Sequence, residues 1–136
     1  MSSETSNKPI KQGIVGQLIW LEGNLMPTTD TEGRAIPPGQ TVQREVVVYE
    51  LTKTSQTKSE NNFYSDIQTK LVAEVMSNQY GIFRIPLEPG KYSIFVKEPK
   101  GLFANSFDGY GHIMPVEVFK DELTEVKIEI NYMASY

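Results

Sequence analysis

The chain has 136 residues, with 13 Lys and Arg against 17 Asp and Glu, a net charge of −4, one histidine and no cysteine. That length suits one domain able to bury roughly two-thirds of the surface its unfolded form exposes. The acidic balance and scattered cations speak against a nucleic-acid partner, and the missing thiols exclude disulfides, thiolate metal sites and cysteine catalysis.

The opening residues, MSSETSNKP, are polar, and residues 1–10 read as a disordered tether ahead of a domain spanning 11–136. Two readings of that tether stay open: a frayed terminus, or the segment that follows a removed export signal, with Met1 added. Gly13 to Leu21 is the first strand, with Ile14, Leu18 and Trp20 on one face and Gly16 marking a close backbone approach or a bulge. Thr28 to Arg44, with Gly33 and Pro37-Pro38-Gly39, reads as a long loop, either an insertion or a functional one. Glu45 to Thr52 is a second strand whose three consecutive valines predict burial on both faces. Lys53 to Asn62 is polar and reads as a mobile loop. Leu71 to Met76 is the third strand, although apolar spacing across Phe63 to Glu74 also fits a short helix.

Tyr80 to Lys97, YGIFRIPLEPGKYSIFVK, alternates on both sides of Pro89-Gly90 and reads as a complete hairpin. Phe83, Ile85 and Leu87 share one face of its first arm, and Tyr92, Ile94 and Val96 share one face of its second. Leu102 to His112 is an aromatic-rich loop. Met114 to Phe119 and Glu125 to Tyr132 are the last strands; in the final one Val126, Ile128, Ile130 and Tyr132 face inward, the pattern of a half-solvated antiparallel strand. Seven short strands and little helical signal predict an all-β fold, a seven-stranded antiparallel Greek-key β-sandwich. No apolar run reaches the roughly 18 residues of a membrane helix, so no transmembrane segment is expected.

The ordered set GIVGQ, GN, VVVYEL, NQYGIFRIPLEPGKYSIFVK and VKIEI resembles the carboxypeptidase regulatory-like domain. Matching positions run from Gly13 to Ile128 and include Gly16, Gly23, Asn78, Gly81, Phe83, Pro89, Gly90 and Tyr92, while the two long loops depart from the short connections of that family. The combination WLEGNLMP, REVVVYELT, KEPKGLFANSFDGYG and PVEV is similar to such domains from bacterial envelope proteins. The resemblance implies a transthyretin-like sandwich and a location in the bacterial cell envelope, periplasmic or at the outer surface, where such domains are often lipid-anchored, here upstream of Ser2; the lack of cysteine is equally compatible with the cytoplasm. Relatives on this sandwich include hydrolases, ring-cleaving dioxygenases, starch-binding domains and isopeptide-bonded adhesins, so the fold does not choose among functions.

The residues narrow the choice. A single histidine supplies neither the histidine set of the purine-pathway hydrolases nor the two-Tyr, two-His iron site of the dioxygenases, and there is no G-x-S-x-G nucleophile turn. No catalytic residue, cofactor or metal is therefore expected. Lys11 and Asn131 are poor candidates for an isopeptide bond, because Lys11 precedes the strand core and Asn131 falls on the polar face. Asp108 with Asn105 is either a hard-cation site or, with Gly109, an ordinary turn. The best ligand-binding surface is Phe103, Asn105, Phe107, Asp108, Tyr110 and His112, where aromatic faces beside amide and carboxylate groups suit a protein or saccharide ligand. The competing use of Phe103 and Phe107 is to plug the open end of the core. The expectation is a non-enzymatic binding or assembly domain, with a carbohydrate-binding module of the same fold as the alternative and a small hydrolase or metal-dependent enzyme behind both.

Overall fold

β-branched and aromatic runs with a two-residue period form strands wherever the sequence places them. The computed structural model describes residues 4–5, 10–24, 28–36 and 39–135, so Pro27, Pro37-Pro38 and most of the expected tether lie outside the described residues. In chain order the principal strands are β1 (Gly13–Asn24), β2 (Glu45–Glu50), β3 (Lys58–Glu60), β4 (Phe63–Ser65) and β5 (Leu71–Met76). They continue with β6 (Ile82–Pro86), β7 (Gly90–Glu98), β8 (Gly101–Phe103), β9 (Pro115–Val118) and β10 (Leu123–Ser135). The seven expected strands are β1, β2, β5, β6, β7, β9 and β10.

Two sheets pack face to face as an all-β sandwich. The larger runs Glu4–Thr5, β5, β2, β7, β8, β4, β3, with β9 also paired to β7. The smaller runs β6, β1, β10, with Gln40–Thr41 paired to β1. Between them lies the main core, where Ile14, Leu18, Phe83, Ile85, Ile128 and Ile130 meet Val46, Val48, Ile94, Val96 and Phe103. Burying each such side chain contributes about 1.5–3 kcal/mol. Gly16 is required here: a Cβ would sit 2.3 Å from the Phe83 ring and 2.7 Å from Val126 Cγ2. A second, smaller core covers the outer face of the larger sheet, formed by Val47, Tyr64, Phe95, Ala104 and Ile113. It explains the unbroken valine run of β2, because Val47 points away from Val46 and Val48 and is buried all the same.

Four expectations need correction. The arms of Tyr80 to Lys97 do not pair with each other: β6 pairs with β1 in one sheet, and β7 pairs with β2 in the other. The Pro89-Gly90 corner is an arch between sheets, braced by the Tyr92 hydroxyl donating to the Glu88 carbonyl at 2.6 Å. The final strand is parallel, not antiparallel, to its neighbour β1. In both cases alternation correctly marks the buried face, but it says nothing of which strand lies alongside or in which direction it runs. Lys53 to Asn62 holds a 3₁₀ turn and then β3, joined to β4 by Asn61 and Asn62, both left-handed at φ 50° and 69°. That is the hairpin geometry asparagine tolerates best after glycine. The described parts of Thr28 to Arg44 are likewise structured: Thr28–Thr29 pairs with Ala35–Ile36 around the Asp30–Arg34 turn, and Gln40–Thr41 pairs with β1.

Candidate functional site

The stretch from Ala104 to Met114 leaves the larger sheet after β8 and rejoins it at β9, and both of its ends are pinned. Ile113 N donates to Thr52 O at 2.8 Å and Met114 N to Ser106 O at 2.8 Å, while Ala104 and Ile113 sink into the second core. Between these anchors Asp108-Gly109-Tyr110-Gly111-His112 forms a tight turn. Asp108 Oδ1 accepts the backbone N–H of Tyr110 at 2.8 Å and of His112 at 2.9 Å, and Oδ2 lies 2.7 Å from His112 Nδ1. Gly111 takes φ +84°, a conformation that closes the turn without strain only for a residue lacking Cβ. Desolvation pushes the Asp108 carboxyl up, but the hydrogen bonds from His112 and Tyr110 outweigh it and hold the group below its ordinary value. Both carboxylate oxygens are thus used within the turn.

The six residues expected to bind ligand divide. Phe107 is 56% exposed and Tyr110 82% exposed, with the Tyr110 and His112 rings 6.4 Å apart. Asp108 and His112 brace the turn beneath them. Asn105 sits at the foot of the loop, where its Nδ2 donates to Glu129 O at 2.8 Å and to Asn131 Oδ1 at 3.0 Å, tying the loop to β10. Phe103 does not belong to the surface: it is fully buried in the main core, with its ring 5.4 Å from Tyr132 and 5.7 Å from Phe63. The plug reading therefore holds for Phe103 and fails for Phe107, because β8 ends at Phe103 and the chain turns outward after it. Among the described residues no group of three or more His, Asp or Glu side chains is placed to hold a metal ion.

Sequence reasoning passed over a buried polar cluster at one end of the sandwich. The Glu98 side chain is wholly buried; its Oε2 accepts Arg44 Nε at 2.8 Å and its Oε1 accepts the Tyr132 hydroxyl at 2.6 Å. Arg44 also lies 5.6 Å from the centre of the Trp20 ring, and Trp20 meets Tyr132 edge-on at 5.3 Å. Burial, then the hydrogen bond and charge of Glu98, push the Tyr132 phenol up to about 12. The phenol therefore stays protonated and donating across the physiological range, and the four side chains lock the two sheets together. A signal existed: Glu98 continues the inward row Tyr92, Ile94, Val96, and a carboxylate in a core-facing row needs a buried partner.

Comparison with family models, with curated proteins and with solved structures gives no match for this chain. The fold and the loop define a β-sandwich that carries two large exposed aromatic side chains, Phe107 and Tyr110, on a turn braced by Asp108 and His112.

Proposed function

We propose that the chain is a non-enzymatic binding or assembly domain of the bacterial cell envelope, a transthyretin-like sandwich of the carboxypeptidase regulatory-like kind, tethered by a lipid anchor upstream of Ser2. The observation that carries the binding reading is the pair Phe107 and Tyr110, two large exposed aromatics on a turn that Asp108 and His112 hold in one geometry. A braced backbone leaves little main chain to order on contact, and Phe and Tyr each have only two χ angles to fix. Asp108 and His112 are engaged with each other and with the turn backbone, which supports a positioning role over general acid or base chemistry. The envelope location rests on the sequence resemblance alone.

The experiment is site-specific photo-crosslinking from position 110 in cells that express the full native gene, followed by fractionation. Adducts with an envelope protein that vanish in a Phe107→Ala background are the expected result. Recovery of the protein only in the cytosol sinks the location, and an envelope-located protein that forms no adduct from position 110 sinks the contact surface.

A further inference from the structure

The two sheets differ in width. β3 and β4 are the last strands of the larger sheet, whereas the smaller sheet ends at β10, whose second edge pairs with no strand among the described residues. The β3–β4 hairpin therefore overhangs β10, and a groove of about 960 Å³ opens between them. That volume is in the range of small-molecule sites. Phe63 and Tyr132 give it an aromatic lining, with ring centres 4.9 Å apart and planes at 75°. Tyr132 is held from behind by Glu98 and Trp20, so its ring does not need ordering when a ligand arrives. Asn61, Asn62 and Lys100 supply polar groups along the same groove.

An overhang beside a strand edge invites an added peptide strand. Two features of β10 interrupt such a ladder. Asn105 Nδ2 already occupies the Glu129 carbonyl at 2.8 Å, and β10 carries an extra residue between Ile130 and Met133 relative to β1. Recognition then falls to side chains. Amides that both donate and accept, next to aromatic surface, complement a molecule that presents hydroxyls beside C–H faces. We propose that this groove binds a short hydroxyl-bearing oligosaccharide, read by the Asn61 and Asn62 amides and the Lys100 ammonium against the Phe63–Tyr132 rings. The inference deepens the binding reading above but uses a different surface from Phe107 and Tyr110, so either can fail alone.

The test titrates the folded chain with soluble cello-, xylo-, chito- and galacturono-oligosaccharides, and separately with an extended peptide library. Calorimetry and Trp20 fluorescence report binding, since Trp20 abuts the groove-lining Tyr132. The key variant is Asn61→Gly/Asn62→Gly: both positions have left-handed φ, which glycine adopts freely, so the hairpin persists while both amides are lost. At least one oligosaccharide should bind, and the double glycine variant should bind it about tenfold or more weakly, while Phe107→Ala/Tyr110→Ala leaves it unchanged. The groove is overturned by no saccharide binding at concentrations up to about 10 mM, by undiminished binding in the glycine variant, or by binding of peptides only. Saccharide binding lost in the loop variant instead would move the sugar to Tyr110, ending the groove inference while the binding reading survives.

Discussion

At Asp30, and again at Asp108, one carboxylate oxygen accepts the backbone N–H groups two and four residues on, at 2.9 and 2.9 Å in the first turn and 2.8 and 2.9 Å in the second. In each turn a glycine three residues on takes a left-handed φ, +80° at Gly33 and +84° at Gly111. The other carboxylate oxygen meets the side chain four residues on at 2.7 Å in both, Arg34 in one and His112 in the other. Asn78 to Ile82 repeats the backbone pattern with an amide in place of the carboxylate: Asn78 Oδ1 accepts the N–H groups of Tyr80 at 2.9 Å and Ile82 at 3.0 Å. The acceptor and the glycine therefore build the turn, and the residue that closes it varies. What the turn does depends on what flanks it. The Asp30 turn caps a two-residue ladder, the Asn78 turn docks on β1 through Gly81 O, and the Asp108 turn stands on the second core and lifts Tyr110 into solvent.

The sharpest way to separate turn from context is to add the same methyl group to each glycine. Gly81→Ala should be the most costly, about 3 kcal/mol or more by urea unfolding, because the new Cβ lies 2.5 Å from Leu18 O on top of the backbone strain. Gly33→Ala has open space around it and Gly111→Ala meets only Thr54 Oγ1 at 3.8 Å, so each should cost only the conformational term of about 1–2 kcal/mol. Equal losses at all three positions would mean that docking on β1 contributes nothing.

Removing the acceptor comes next. Asp108→Ala should abolish amide-exchange protection at positions 110 and 112, and Asp30→Ala should do so at 32 and 34, each without affecting the other turn. Asp→Asn at either site should keep it, since Asn78 already performs this role. Loss of protection in the Asn variants would show that charge, not acceptor geometry, holds the turn.

Acid should act on the two carboxylate turns and spare the third. The Asp30 carboxyl is held below its ordinary 3.8, chiefly by the Arg34 backbone N–H, and Asp108 is also held below 3.8 once its hydrogen bonds outweigh desolvation. A carboxyl depressed on folding contributes stability that is present above its unfolded value and is lost as pH falls through the folded one. Amide-exchange protection at 32, 34, 110 and 112 should therefore hold down to about pH 4 and fall together below it, while that at 80 and 82 should not follow that titration. Opening of the Asp108 turn well above pH 4 would contradict this.

The smallest effects belong to the closing side chains. Arg34 is 72% exposed and His112 21%, so Arg34→Gln should leave its turn almost unchanged in exchange rate, and His112→Gln should loosen its own measurably. The reverse order would make the exposed guanidinium the more important partner.

Much of this was legible residue by residue. Of the two readings of Asp108 left open by the sequence, a cation site or a turn with Gly109, the turn is the one that forms. The inward row Val126, Ile128, Ile130, Tyr132 packs against the core as its alternation requires. Which loop aromatics stay exposed was legible only in outline, because Phe103 and Phe107 are alike in type and differ only in where the chain leaves the sheet.

Apolar faces and most strand positions are readable from the chain alone, because they are local consequences of side-chain period and φ preference. Assembly of the sheets settles that the two arms around Pro89-Gly90 belong to different sheets, that β10 runs parallel to β1, and that Arg44, Glu98 and Tyr132 converge from distant parts of the chain. The same holds for the groove, which exists because one sheet is wider than the other. Pairing and convergence depend on which surfaces exclude water together, and that is a property of the assembled sheets rather than of any one segment.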